Sequence, residues 1–235
     1  VGKDLAARVL HQMTYSGTDA PMISLNCAAV PAEMFEAELF GAERGSYTGA
    51  DRKRLGLVGA AEKGTLFLDE IGEVPLLQQS KLLRFLESRE YRPLGSTEVR
   101  HFKGRVVAAT NKDLRTEVDA GRFREDLLYR IDVFTVRMPR LRDRMEDVPE
   151  LFEGILKQIS EKYDRELPMV KPGDMERLQH YDFPGNVREL RNIIERSLLR
   201  SDSSSRWLTL DPRVFAASSE KPEPKESEIA KVATP

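Results

Sequence analysis

The chain has 235 residues, of which 40% are hydrophobic and 32% charged, and its 37 basic and 39 acidic side chains leave a formal net charge of −2. A balance this close to neutral argues against a domain whose main task is to coat DNA. We expect no membrane span and no signal peptide, because no apolar run has the necessary length. The single cysteine, Cys27, excludes an internal disulfide and suits the cytoplasm. Since the chain has no initiator methionine, we expect it to be a piece of a longer protein.

Short apolar strands alternate with longer helices over the first three-quarters of the chain. The hydrophobic spacing predicts helices over residues 5–13, 31–40 and 78–86, the second with Pro31 in its first turn. It predicts buried strands over residues 22–25, 65–68, 105–109 and 134–136. This alternation is typical of a parallel sheet covered by helices on both faces, and the fold class is therefore α/β.

Strand signals stop after about residue 140, where three further helices are predicted over residues 147–163, 172–181 and 187–200. From about Ser218 the sequence has almost no apolar content, so we expect a flexible linker or tail there. The predicted organisation is an α/β domain over residues 1–140, a helical domain over residues 141–212 and a tail over residues 213–235.

Two adjacent carboxylates, Asp69 and Glu70, follow an apolar strand. Ionised groups at such a position are costly to desolvate unless they bind something. In a Walker B arrangement, Asp69 would hold Mg²⁺ and Glu70 would polarise the water that attacks a phosphate. The alternative is a strand that leads into an acidic helix cap.

Two other segments fit a nucleotide site. Asn111 follows the next strand of the sheet, so it would lie at the same carboxyl edge and could contact the γ-phosphate, although a helix cap is the alternative. Gly2, Lys3 and Asp4 precede a helix and could end a phosphate-binding loop, whose lysine reaches the β- and γ-phosphates. The upstream glycines of that motif are not in this chain, and Asp4 stands where Ser or Thr is usual.

Two arginines are candidates for stabilising charge on a transferring phosphoryl group, and a third could point across the cleft between the two domains. Arg124 and Arg130 lie six residues apart in one helical segment, which could equally be a salt-bridged surface. Arg188 lies in the first turn of a helix that follows a Pro-Gly turn, with Asn186 as the expected cap.

Five segments occur in one order with suitable spacing: FGAERGSYTGA, GTLFLDEIGE, AATN, GRFREDLLYRIDVF and FPGNVRELRN. Together they resemble the central AAA+ domain of NtrC-type bacterial enhancer-binding proteins, the activators of sigma-54 RNA polymerase. The resemblance covers about residues 1–212. It implies a P-loop NTPase domain followed by a helical lid, with ATP and Mg²⁺ bound.

The resemblance also implies roles for single residues. Lys3, between Gly2 and Asp4, matches the Walker A lysine, and Asp69 and Glu70 match the Walker B pair. Asn111 matches sensor I, and Arg188 matches sensor II. Arg124 and Arg130 match the two arginines of which at least one acts on a neighbouring subunit. Asn26 matches the residue that holds the Walker B glutamate in an inactive pose.

The output loop of the family reads GAFTGA, and here it is Gly45-Ser46-Tyr47-Thr48-Gly49-Ala50. Flanking glycines permit large backbone changes, and the aromatic ring of Tyr47 offers a large apolar contact. The resemblance implies that this loop grips sigma-54 and that a second loop, over residues 90–103, supports it. An ordinary surface loop is the alternative.

The function implied is that of an ATPase ring, a hexamer, that converts the closed sigma-54 polymerase complex to the open one. DNA would be bound by a domain outside this chain, and an N-terminal receiver would make it a two-component-type regulator. Two alternatives stay open. One is an AAA+ regulator that uses ATP for assembly and acts without sigma-54; the other is a helicase loader or protease unfoldase, which the SYTGA loop argues against.

Overall fold

The computed structural model describes residues 2–46, 52–202 and 205–212. They fall into two compact units, residues 2–137 and the described residues from Met138 onward. No helix among the described residues is long and apolar enough to cross a membrane.

The first unit contains five strands and six helices in its described residues. The strands are β1 (Met22–Asn26), β2 (Thr65–Asp69), β3 (Glu90–Tyr91), β4 (Arg100–His101) and β5 (Arg105–Ala108). The helices are α1 (Lys3–Thr14), α2 (Phe35–Phe40), α3 (Leu57–Ala60), α4 (Leu76–Ser88), α5 (Leu114–Asp119) and α6 (Glu125–Ile131).

Strands β1, β2 and β5 form a parallel sheet with β2 in the middle. The first four residues of β2 are buried, which explains its uninterrupted apolar sequence. The register pairs Asn26 with Asp69 and Leu68 with Ala108, so the carboxyl ends of the three strands meet at one edge. Side chains of α2 and α4 pack with those of β2 in the core of this unit.

Three expectations about this unit are wrong in detail. Pro31 lies ahead of α2, which begins only at Phe35. Strand β5 is half exposed rather than buried. No strand forms over residues 134–136, where Phe134 is 84% exposed. A β-strand is stable where a neighbouring backbone satisfies its N–H and C=O groups. No described segment pairs with residues 134–136. None pairs with the outer edge of β5 either, which leaves that strand half exposed.

The second unit is helical, as predicted. Its helices are α7 (Val148–Lys162), α8 (Pro172–Gln179) and α9 (Asn186–Arg200), which bury a core that includes Phe152, Ile159, Phe183 and Ile194. The expected capping role of Asn186 is wrong. Its Oδ1 accepts a hydrogen bond from the Leu141 N–H instead (2.8 Å), and the Glu189 carboxylate accepts one from the N–H of the capping residue Gly185 (2.7 Å).

Candidate functional site

Asp69 and Glu70 lie where β2 ends, at the carboxyl edge of the sheet. Glu70 adopts the left-handed backbone conformation (φ 52°, ψ 49°) and begins the 3₁₀ turn Ile71–Glu73. For a residue with a side chain this conformation costs about 1 to 2 kcal/mol. The Glu70 backbone N–H donates to Asp69 Oδ1 (3.0 Å), which orients the Asp69 carboxylate at the end of the strand. Strain of this kind is concentrated at functional sites.

The Glu70 carboxylate joins three segments that are far apart in the sequence. Lys3 Nζ donates to its Oε1 (3.1 Å), and the Asn111 backbone N–H donates to its Oε2 (3.1 Å). The Lys3 and Glu70 side chains are 23% and 21% exposed, so this ion pair is partly shielded from water. The structure therefore brings together Lys3, Asp69, Glu70 and Asn111, which the sequence predicts as one site.

Asn26 lies opposite Asp69 in the register of β1 and β2. Its Oδ1 accepts a hydrogen bond from the Ala28 N–H (3.0 Å) and so caps the short turn Cys27–Ala29. No hydrogen bond joins Asn26 to Glu70 within the described residues, and the pose in which Asn26 holds Glu70 is not the one seen here. Burial, and secondarily the Asp69 charge, raise the pKa of the neighbouring Cys27 thiol to about 12.

The start of α1 suits an anionic ligand. Gly2 adopts the left-handed conformation (φ 89°) directly before the helix, and Lys3 and Asp4 lie in the first turn. The N–H groups of a first helical turn have no partners within the helix and attract phosphate. The Lys3 contact with Glu70 places this helix end beside the carboxylates.

The donor set also fits Mg²⁺ in the form in which nucleotides carry it. In the described part of the chain, no group of three or more His, Cys, Asp or Glu side chains could hold a metal ion. Mg²⁺ does not need such a cage, because it is held by one or two carboxylates together with phosphate oxygens and water. Asp69 can serve as that carboxylate.

Arg124 and Arg130 both bind groups of their own subunit. Arg124 pairs in a bidentate way with Asp126 (3.0 and 2.6 Å), and this lowers the pKa of the Asp126 carboxyl. Arg130, in the last turn of α6, donates twice to the Leu86 carbonyl at the end of α4 (3.1 and 2.8 Å). Neither guanidinium bonds to Lys3, Asp69 or Glu70 in the described ranges, so they do not complete the site of their own subunit. Arg188 lies exposed in the first turn of α9.

The predicted output loop is described only at its first residues. Gly45 has φ 81°, and Ser46 donates through its hydroxyl to the Glu43 carbonyl (2.8 Å). Residues 47–50, which include Tyr47, Thr48, Gly49 and Ala50, lie outside the described residues.

The base of this loop is a clamp of three backbone segments. Ala42 exchanges hydrogen bonds with Arg54 on one side (3.0 and 2.8 Å). On the other side Leu94 donates to the Gly41 carbonyl (2.9 Å) and accepts from the Glu43 N–H (2.9 Å). Leu94 belongs to the hairpin closed by β3 and β4, which is the second loop. These hydrogen bonds join the second loop to the residues that precede the predicted output loop.

Residues 1–137 match the family described as the sigma-54 interaction domain, and residues 142–227 match the AAA+ ATPase lid domain. The chain belongs to the sigma-54 interaction domain family. Membership confirms the resemblance seen in the motifs, and with it the AAA+ fold class followed by a helical lid domain.

The relatives of this domain are bacterial regulators. The transcriptional regulatory protein ZraR of Salmonella typhimurium is 46% identical over 198 residues, which are 84% of this chain and 45% of ZraR. The hydrogenase transcriptional regulatory protein HoxA of Bradyrhizobium diazoefficiens is 46% identical over 201 residues, 86% of this chain and 41% of HoxA. The chain thus spans less than half the length of either regulator.

A solved structure shows the same fold with a nucleotide. NtrX from Brucella abortus in complex with ADP superposes with a TM-score of 0.81 at 31% sequence identity, over 99% of this chain and 52% of that one. The AAA+ fold of this chain is therefore one that binds adenine nucleotide in a relative.

Sequence reasoning missed one buried polar residue beside the site. Gln79 lies on α4 with 0% of its surface exposed and bonds to the backbone carbonyls of Val74 and Arg122. A signal was present, because Gln79 shares the spacing of Leu82 and Leu86, the apolar stripe of α4. A polar side chain in such a stripe indicates a specific buried partner.

Proposed function

We propose that the protein hydrolyses ATP and uses the energy to remodel sigma-54 RNA polymerase from the closed to the open promoter complex. The observation that carries the proposal is the meeting of Lys3 and the Asn111 N–H on the Glu70 carboxylate, one residue after Asp69. Membership of the sigma-54 interaction domain family supplies the partner.

Each residue at the sheet edge has a separate task. Lys3 and the first turn of α1 neutralise and orient the β- and γ-phosphates. Asp69 holds Mg²⁺, which when bound neutralises charge on the phosphate oxygens. Glu70 orients the attacking water and accepts its proton, and the Asn111 side chain contacts the γ-phosphate as the sensor I residue. When phosphate takes Lys3 as its partner, the Glu70 carboxylate is released for the water.

We infer that the site is completed by a second subunit, because Arg124 and Arg130 bond to Asp126 and Leu86 of their own subunit rather than to these carboxylates. In a ring, which we propose to be a hexamer, Arg130 of one subunit, assisted by Arg124, stabilises the phosphoryl charge on the next. To do so Arg130 exchanges the Leu86 carbonyl for phosphate oxygens. Arg188 contributes to nucleotide binding as the sensor II arginine.

The conformational change driven by ATP hydrolysis reaches sigma-54 through the loop of residues 45–50. Loss of the γ-phosphate changes the partner of Glu70, and Asn26, on the neighbouring strand, transmits the change. The clamp around Ala42 gives the loop a fixed base, from which Tyr47 contacts sigma-54. We further propose that the longer protein is cytoplasmic, that it binds DNA through another domain, and that the α/β and lid domains divide near residue 140 and end near residue 212.

The decisive variant is Tyr47→Ala in the complete protein, assayed for both ATP hydrolysis and open-complex formation on a sigma-54 promoter. We expect near wild-type hydrolysis and no open complex, because in the proposed function Tyr47 takes no part in the phosphate chemistry and supplies the apolar contact with sigma-54. Tyr47→Phe, which keeps the ring and gives the residue of the family loop, is the control and should support both. Open complexes formed at the wild-type rate by Tyr47→Ala would refute the role of the loop.

A further inference from the structure

The side chain of Gln79 is buried in the first unit and makes three hydrogen bonds to backbone groups. It lies in the second turn of α4 and is 0% exposed. Burying an amide that has no hydrogen-bond partner is unfavourable in free energy. A glutamine within the apolar stripe of a helix therefore indicates specific hydrogen bonds.

Both N–H donors of the Gln79 side-chain amide are used in hydrogen bonds. Its Nε2 donates to the carbonyls of Val74 (3.0 Å) and Arg122 (3.0 Å). Its Oε1 accepts from the Arg124 N–H (2.8 Å). Two carbonyls on one side and one N–H on the other determine which way the amide is oriented.

The three bonds join two parts of the catalytic machinery. Val74 follows the 3₁₀ turn that Glu70 begins, so the first bond holds the turn after the Walker B carboxylates. Arg122 and Arg124 flank the buried Phe123, and Arg124 is the capping residue from which α6 begins. Helix α6 carries Arg130, and we call residues 122–130 the arginine segment. The other two bonds of Gln79 therefore fix the backbone at the start of this segment.

Helix α4 therefore holds the arginine segment at both ends. Gln79 in its second turn fixes the backbone at Arg122 and Arg124, and the Leu86 carbonyl near its end accepts from Arg130. We propose that Gln79 is a positioning residue that links the Glu70 turn to the arginine segment, so that each subunit presents Arg124 and Arg130 correctly to its neighbour. This inference rests on the proposed function, in which those arginines act on the adjacent subunit.

The test is Gln79→Met, which keeps the length of the side chain and removes all three bonds. In a ring of this variant we expect kcat for ATP hydrolysis to fall about 10- to 100-fold, the loss typical of a misplaced catalytic group. The affinity for ATP should stay within about twofold, because Gln79 does not contact the nucleotide residues. Gln78→Met, the same change at the adjacent residue of α4, is the control and should keep the wild-type kcat.

Mixed rings separate positioning from a general loss of structure. In rings of Gln79→Met and Glu70→Gln subunits, the first keeps Lys3, Asp69 and Glu70 and receives the correctly placed arginines of the second, and hydrolysis should return. Unchanged kcat in Gln79→Met, or no recovery in the mixed rings, would overturn the inference. The same mixture made with an Arg124→Ala, Arg130→Ala double variant tests the proposed function, since its failure to recover would show that the arginines do not act on a neighbour.

A second variant covers the case in which Gln79→Met shows no cooperative thermal unfolding. Gln79→Glu keeps an oxygen that accepts from the Arg124 N–H, but a carboxyl group has at most one proton to donate, so at least one of the bonds to the Val74 and Arg122 carbonyls is lost. It should show the same loss of kcat and the same recovery with Glu70→Gln, and wild-type turnover would overturn the inference.

Discussion

The Lys3–Glu70 ion pair leads to an expectation about ATP affinity as well as about turnover. In the Glu70→Gln variant the general base is lost, which should lower kcat by about 10²- to 10⁴-fold. The Asn111 N–H keeps an oxygen partner, because the new amide carbonyl accepts as the carboxylate did. The variant lacks the negative charge of the Glu70 carboxylate, whose Oε1 lies 3.1 Å from Lys3 Nζ.

The magnitude follows from the exposure of the pair. Side chains 23% and 21% exposed form a partly screened ion pair, worth about 0.2 to 1 kcal/mol. Phosphate binding must overcome this interaction to take Lys3, and removing it should lower the Kd for ATP by about 1.4- to 5-fold. Loss of repulsion between the Glu70 carboxylate and the phosphates acts in the same direction.

The assay is titration of the complete protein with a fluorescent ATP analogue, alongside steady-state phosphate release. Glu73→Gln is the matched control, since Glu73 lies on the same turn and pairs with Lys112 (2.8 Å) rather than Lys3. It should leave both Kd and kcat unchanged. Weaker ATP binding in Glu70→Gln, or turnover like that of the wild type, would refute the assignment of Lys3 and Glu70 to one phosphate site.

Two further expectations concern the scaffold. Gly56 has φ 74°, and a Cβ there would overlap the backbone nitrogen of Gly41 at the loop base, so Gly56→Ala should destabilise the first unit by about 2 to 5 kcal/mol. Gly154→Ala, in open space on α7, should instead stabilise by about 0.5 to 1 kcal/mol, and equal shifts in thermal unfolding would contradict this contrast. Because the pKa of Cys27 is raised to about 12, its thiolate is scarce at pH 8, and iodoacetamide should alkylate it only after unfolding; rapid labelling of the native protein would show that the thiol is accessible and ionised.

The parts of the site that the sequence predicted are those with a local signature. The apolar run of β2 followed by Asp69 and Glu70 combines a buried strand with charges that need a partner, and the parallel register then places Asn111 at the same edge. Lys3 reaches this edge because α1 begins beside it. These inferences needed only strand periodicity and the rule that parallel strands share a carboxyl edge.

The rest depended on partners distant in the sequence. Residues 134–136 have strong strand propensity, but propensity does not supply the neighbouring backbone that a strand requires. Asn186 is a good capping residue by type, yet Glu189 reaches the Gly185 N–H and leaves Asn186 for Leu141. The left-handed backbone of Glu70 and the three bonds of Gln79 are tertiary features as well, since neither residue type favours them locally.

In the proposed function, the presence or absence of the γ-phosphate at Glu70 controls the contact that the loop containing Tyr47 makes with sigma-54. The most direct test of this control is retention of purified sigma-54 on the immobilised complete protein with no nucleotide, with ADP, and with ADP plus aluminium fluoride as a transition-state analogue. We expect retention only with the analogue, and none in the Tyr47→Ala variant under the same conditions. Retention of sigma-54 without nucleotide, or by Tyr47→Ala with the analogue, would contradict it.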